Sequence, residues 1–207
     1  GFGGSINGRK ACSFGDFSAT SFFPAKALGC YGDGGAVFTD DEEMAKLLQS
    51  IRVHGKGSFK YENVRLGLNA RLDTIQAAIL LPKLHAFDEE NAHRCRAAAR
   101  YAERLSGRFQ TPYLPEGFSS SFGYYTILTA GAEERAALQA RLKEKGIPTM
   151  VYYPCPLHLQ KVYAPLGYHR GDLPVSEELT DRVLSLPMHG YITDEEIDAV
   201  CDALLES

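Results

Sequence analysis

No apolar run in this sequence approaches the length of a helical membrane span, so nothing in it calls for a bilayer. An excess of charge of one sign is missing too. The net charge is -4 over 207 residues, too mild to suggest a nucleic-acid or membrane-surface partner. No Cys-x-x-Cys occurs. The five cysteines stand at 12, 30, 95, 155 and 201, odd in number and widely spaced. That argues against both a disulfide framework and a zinc site, leaves no candidate metal ligands, and fits a reducing, cytoplasmic setting. Gly1-Phe-Gly-Gly-Ser5 lacks the basic and apolar regions of a signal peptide, and there is no initiating methionine. Internal repeats and low-complexity segments are also absent.

What is present is an ordinary globular composition, 44% hydrophobic and 23% charged. The length suffices for one large or two small domains. The most informative stretch is Ser21-Phe-Phe-Pro-Ala-Lys26, followed by Gly32-Asp-Gly-Gly35 and the apolar run Ala36-Val-Phe-Thr39. A lone loop lysine is ordinarily solvated. Phe22, Phe23 and Pro24, however, suggest a stiff apolar wall that desolvates an ammonium group, which lowers its pKa and exposes a nucleophilic amine. The glycines allow close approach of a bulky ligand.

Cys12-Ser-Phe-Gly-Asp-Phe-Ser-Ala-Thr-Ser-Phe-Phe-Pro-Ala-Lys26 with Leu28-Gly-Cys-Tyr-Gly-Asp-Gly-Gly35 resembles the active-site segment of the DegT-type nucleotide-sugar aminotransferases. These are pyridoxal 5'-phosphate (PLP) enzymes of the aspartate-aminotransferase fold. The resemblance implies that Lys26 is the catalytic Schiff-base lysine and Ser21 a ligand of the cofactor phosphate. Family members carry an upstream half with a glycine-threonine phosphate loop, a ring-stacking aromatic and an aspartate for the pyridine nitrogen. The sequence therefore reads as a C-terminal fragment, inactive by itself.

Further elements follow from periodicity. Gly35–Thr39 reads as a strand. Met44, Leu47, Leu48 and Ile51 mark an amphipathic helix over 40–51, with Thr39 and Glu42 as a capping box. Ile75, Ala78, Ile79, Leu81 and Leu84 suggest a helix buried on much of its surface, kinked at Pro82 and continuing to about Gly107. Gly123–Thr129 and Ile147–Tyr153 read as strands around a helix over Ala132–Lys145 that Gly146 closes. A helix from Ser176 to about Leu184 follows, and then a last helix opened by a Thr193–Glu196 capping box. By resemblance the fold class is α/β, the C-terminal part of a fold-type I PLP-dependent transferase. Residues 1–88 would be the end of the large PLP-binding domain, and 89–207 a linking helix and small α+β domain.

Residues 52–71 are polar, glycine-bearing and aperiodic, a long loop of the kind that is often functional. Composition alone makes Asn69 a turn residue and Arg71 a surface charge. By resemblance this loop crosses to a partner subunit of a homodimer with shared active sites. There Asn69 reaches the cofactor phosphate and Arg71 the substrate carboxylate. Gly146-Ile-Pro-Thr-Met-Val-Tyr-Tyr-Pro-Cys-Pro-Leu-His-Leu-Gln160 is similar to the family's sugar-binding segment and makes Tyr152, Tyr153 and His158 substrate-binding candidates. On pattern alone the two tyrosines are strand residues facing opposite sides, one of them buried. Tyr152 stands where relatives acting on UDP-linked 3-keto uronic acids have histidine. The wording of Tyr61–Asp73 resembles the subgroup that aminates UDP-2-acetamido-2-deoxy-3-oxo-glucuronate. The implied reaction moves an amino group from glutamate to a nucleotide-linked keto sugar for surface glycan synthesis. The alternatives are a non-catalytic truncated homologue or a PLP-dependent sugar dehydratase relative, the latter disfavoured because that group has histidine in place of Lys26.

Overall fold

A computed structural model describes residues 1–206. The chain divides into two compact units, Gly1–Asn91 with Pro115–Gly123, and Ala92–Leu114 with the residues from Tyr124 onward.

In the first unit, β1 (Ser5–Ile6) and β2 (Arg9–Lys10) pair antiparallel around Asn7-Gly8. Both turn residues have positive φ, 49° and 79°, the tight hairpin that an Asn-Gly pair favours. β5 (Phe118–Ser119) pairs with the other edge of β1 and so ties the 115–123 loop to this unit. β3 (Ser18–Ser21) and β4 (Gly35–Phe38) form a second antiparallel pair, in register from Ser18↔Phe38 to Ser21↔Gly35. The helix α1 (Glu42–Ile51) starts one cap later than its sequence suggests. Asp41, not Thr39, accepts from Glu43 N–H at 2.8 Å and Met44 N–H at 3.0 Å. A carboxylate at that position also complements the positive end of the helix dipole. Thr39 instead takes the N–H of Asp41 at 3.2 Å.

The helix α2 (Thr74–Leu105) runs through Pro82 as one element. Its core-facing stripe is not the expected one. Leu80 and Phe87, seven residues apart, are buried in a cluster with Phe22, Leu28 and Cys30. Ile75, Ala78, Leu81 and Leu84 are exposed.

The second unit is built on β6 (Tyr125–Leu128) and β7 (Val183–Leu186), antiparallel from Tyr125↔Leu186 to Leu128↔Val183. All four residues of β7 are buried. Around them lie α3 (Ala132–Glu144), α4 (Pro174–Arg182) and α5 (Asp194–Leu205). Gly146 has φ 75° at the end of α3, as its position suggests. The capping box on α5 is present in both directions: Glu196 N–H to Thr193 Oγ1 at 3.2 Å, and Thr193 N–H to Glu196 Oε2 at 2.9 Å. Residues 147–153 do not form the expected strand. Only Met150 bridges, to Ser185, and Pro148 and Pro154 bring no N–H to a ladder.

Tyr101 stacks on Tyr125 with centroids 4.9 Å apart, and its hydroxyl donates to Pro187 O at 2.9 Å. Burial raises both phenols, that of Tyr125 to about 12. At the surface, Asp198 accepts from Arg100 Nε at 2.9 Å and Arg104 Nη1 at 2.7 Å. The Arg100 hydrogen bond, working against burial, holds the Asp198 carboxyl below the usual carboxylate range.

Two outcomes are expected. Leu184→Ala, at a fully buried position, should cost about 2–5 kcal/mol in urea unfolding. A lowered carboxyl pKa stabilises above the ordinary value of about 4 and loses that effect as pH falls through the folded value. Asp198→Asn should therefore lower the melting temperature at neutral pH and flatten its fall with acid. An unchanged acid slope would show that Asp198 is not the titrating group.

Candidate active site

The ends of β3 and β4 are locked together, and residues 22–34 leave and return between them as a closed loop. Phe22 is its pivot. Its N–H donates to Gly34 O at 2.8 Å, and its carbonyl accepts from Cys30 N at 2.8 Å and from Cys30 Sγ at 3.0 Å. Phe23 O accepts from Lys26 N at 2.8 Å, which closes a turn with Pro24 at its first central position, where a fixed φ is already suitable. Lys26 is thus the last residue of a proline-stiffened turn, and it is half-buried. Gly29 packs under that turn. A Cβ there would lie 2.7 Å from both Phe23 O and Pro24 O, so the close approach requires glycine. The expected apolar wall divides. Phe22 is 9% exposed and belongs to the core, whereas Phe23 is 51% exposed. Ser21, five residues before Lys26, accepts from Phe23 N–H through its Oγ at 3.1 Å.

Asn69 and Arg71 lie on the 52–71 loop of the same unit, and both are exposed. The loop is folded back on itself. His54 N–H donates to Leu68 O at 2.9 Å, Leu68 N–H to Ile51 O at 2.7 Å, and Val53 bridges Asn69. Gly55 and Gly67 meet where it doubles. A Cβ on Gly55 would lie 1.8 Å from Arg65 O, and one on Gly67 would lie 2.0 Å from Gly55 N. Arg71 lines an open groove of about 1180 Å³ together with Thr20, Asp33 and Arg52.

The remaining three candidates lie in the second unit. Tyr152 and Tyr153 meet edge to face at 5.5 Å, and Tyr124 packs on Tyr152 at 4.4 Å. Tyr152 is half-buried and Tyr153 is 66% exposed, and their rings touch, so they neither face opposite sides nor bury one member as an alternating strand pair would. Sequence reasoning missed Tyr124, although its tandem with Tyr125 at a strand start marks one ring for each face. His158 stands apart from the tyrosines in environment. It is buried, and its Nε2 lies 3.0 Å from Glu177 Oε1. Glu177 also accepts from Gly171 N at 2.8 Å. Burial works to raise the Glu177 carboxyl pKa, but the hydrogen bonds from His158, Gly171 and Leu173 outweigh it and hold the carboxyl low. Glu177 was not visible as a partner because the pair closes across 19 residues of sequence.

The sequence matches the family model of the DegT/DnrJ/EryC1/StrS aminotransferases over residues 1–205. The chain belongs to this family. Among its relatives is the UDP-2-acetamido-2-deoxy-3-oxo-D-glucuronate aminotransferase of Pseudomonas aeruginosa, 43% identical over 204 residues, which cover 98% of this chain and 55% of that protein. Solved structures agree. A DegT/DnrJ/EryC1/StrS aminotransferase from Brucella abortus superposes with TM-score 0.92 at 47% identity, over 98% of this chain and 54% of that one. DesV of Streptomyces venezuelae, in complex with a ketimine intermediate, gives 0.92 at 36% identity, over 98% and 54%. The chain thus spans about half the length of the curated relatives it matches. Its fold is that of the C-terminal portion of a PLP-dependent sugar aminotransferase.

In this family member the doubled loop should depend on its two glycines. Gly55→Ala should speed tryptic cleavage after the exposed Lys56, Lys60 and Arg65, with little change in cleavage of the second unit. Cleavage at the wild-type rate would contradict the close Gly55–Gly67 packing.

Proposed function

We propose that the protein to which this chain contributes is a PLP-dependent nucleotide-sugar aminotransferase. It would move an amino group from glutamate to a UDP-linked 3-keto uronic acid, in the cytoplasm, for surface glycan synthesis. The observation that carries the reading is Lys26 at the close of the Pro24 turn, in a chain that matches an aminotransferase family almost end to end. The donor set fits the cofactor. A primary amine suits an aldehyde, and a hydroxyl whose oxygen is already engaged by Phe23 N–H can donate to a phosphate. When bound, PLP supplies the aldehyde and an electron-accepting ring.

In this reading Lys26 Nζ would hold the cofactor, and its amine would serve as the base that moves a proton at the substrate carbon. Ser21 Oγ donates to the phosphate. Asn69 and Arg71 serve the partner's site in a homodimer, the asparagine amide toward phosphate and the guanidinium toward a carboxylate. Exposed apolar side chains leave surface for the rest of the protein or a second copy to cover. Leu66 is 98% exposed, and Leu68, Ile75, Leu81 and Leu84 are also uncovered. Tyr152 and Tyr153, backed by Tyr124, offer ring faces and hydroxyls to a sugar. His158 contributes through the segment it anchors on Glu177, because its ring is buried.

In the full-length protein, Lys26→Ala should abolish the absorbance of the lysine-linked cofactor and transamination together while leaving the circular dichroism spectrum intact. Retained transamination in that variant would sink the assignment. A wild-type full-length protein that folds but binds no PLP would point instead to a non-catalytic homologue.

A further inference from the structure

The loop that presents Lys26 is fastened from outside by two polar side chains of α2. Gln76 Oε1 accepts from Tyr31 N–H at 2.8 Å. Lys83 Nζ donates to Gly29 O and lies 5.5 Å from the centre of the Tyr31 ring. Residues 76, 80, 83 and 87 follow one another along one face of the helix, at the four- and three-residue steps that keep side chains in line. Leu80 and Phe87 of this stripe are buried against Phe22, Leu28 and Cys30. The stripe therefore alternates polar and apolar contacts with the loop, and Phe87 also packs edge to face on Phe2. Gln76 sits close enough that a Cβ on Gly32 would lie 2.8 Å from its Nε2.

The two polar contacts meet a need that the rest of the loop leaves open. Lys26 N–H is satisfied within the loop by Phe23 O, and Phe22 is bonded within it to Cys30 and Gly34. Gly29 O and Tyr31 N–H instead point their hydrogen-bonding capacity at α2. Gly29 is the residue squeezed under the Pro24 turn. A shift of the 29–31 backbone would thus be transmitted directly to the Phe23–Lys26 turn through Gly29's contacts with Phe23 O and Pro24 O. Leu80 and Phe87 resist separation of helix and loop but not sliding, since apolar contact is non-directional. The hydrogen bonds fix the register.

We propose that Gln76 and Lys83 are positioning residues for Lys26, clamping Gly29–Tyr31 to α2 so that the lysine's turn is held in one register. The inference rests on the reading of Lys26 as the cofactor-bearing amine. Its test uses no cofactor, so the two can fail separately.

The experiment compares the unsubstituted chain with Gln76→Ala, Gln76→Glu, Lys83→Met and the Gln76→Ala/Lys83→Met pair. Hydrogen exchange is read at the Cys30–Gly32 amides. Competitive acetylation of Lys26 is followed against pH, with exposed Lys46 as internal reference. Gln76→Ala should raise exchange at Tyr31 about tenfold, the loss expected for one hydrogen bond, with β6 and β7 unchanged. Its Lys26 acetylation profile should depart from that of the unsubstituted chain, and the double variant's should depart further. Gln76→Glu keeps an acceptor for Tyr31 N–H and should restore both readouts. Unchanged exchange at Tyr31 would overturn the clamp. Faster exchange with an unaltered Lys26 profile would overturn its role in positioning the lysine. Loosening throughout the chain in Gln76→Ala that Gln76→Glu does not repair would also overturn it.

Discussion

The arrangement around Lys26 depends on one backbone closure. Ser21 pairs with Gly35, and just inside that pair Phe22 N–H bonds to Gly34 O. Everything from residue 22 to residue 34 is then a loop with fixed ends, and its entropy has been removed before any ligand arrives. Within it, the Pro24 turn and the Cys30 bonds to Phe22 leave the lysine backbone little freedom. Lysine side chains are long and flexible, so a defined amine position has to come from a defined backbone. A ligand that must be approached from a fixed direction benefits from such preorganisation.

The second unit solves a different problem. Its two-stranded pair β6–β7 is too small to stand by itself. It is stabilised by burying β7 completely and by covering it with helices. Tyr101 and Tyr125 place a stacked aromatic pair in that core, with the Tyr101 hydroxyl satisfied by Pro187. Outside the core, the segment between His158 and Gly171 has little apolar burial, and its ends are drawn together on the Glu177 carboxylate. A carboxylate with several N–H donors stays ionised, which is why Glu177 remains low in pKa despite burial.

Much of this was legible in the sequence where the signal is local. The Gly146 helix stop and the Thr193–Glu196 cap each follow from residues a few positions apart, and the family, with the α/β class it implies, could be read from residues 12–35. What was not legible depends on distant partners. Residues 147–153 have a strand composition, but Met150 alone finds a partner, at Ser185. Val183 and Leu184 looked like a helix end but open β7, and a short apolar run does not distinguish the two. The burial of Leu80 rather than Leu81 or Leu84 on α2 was set by where Phe22 and Leu28 lie. In the candidate site, Lys26 and Ser21 were recognisable from one motif. The pairing of His158 with Glu177 and the contacts of Gln76 and Lys83 were not, because they close over long sequence separations.

The central claim is that residues 22–34 hold Lys26 as the one amine suited to PLP. Its most direct measurement is reductive trapping: incubate the chain with PLP, reduce with borohydride, digest, and find by mass which lysine carries the pyridoxyl group. The account predicts modification concentrated on Lys26, with exposed lysines such as Lys46 and Lys60 left nearly unmodified. Label scattered over the surface lysines, with no preference for Lys26, would contradict it.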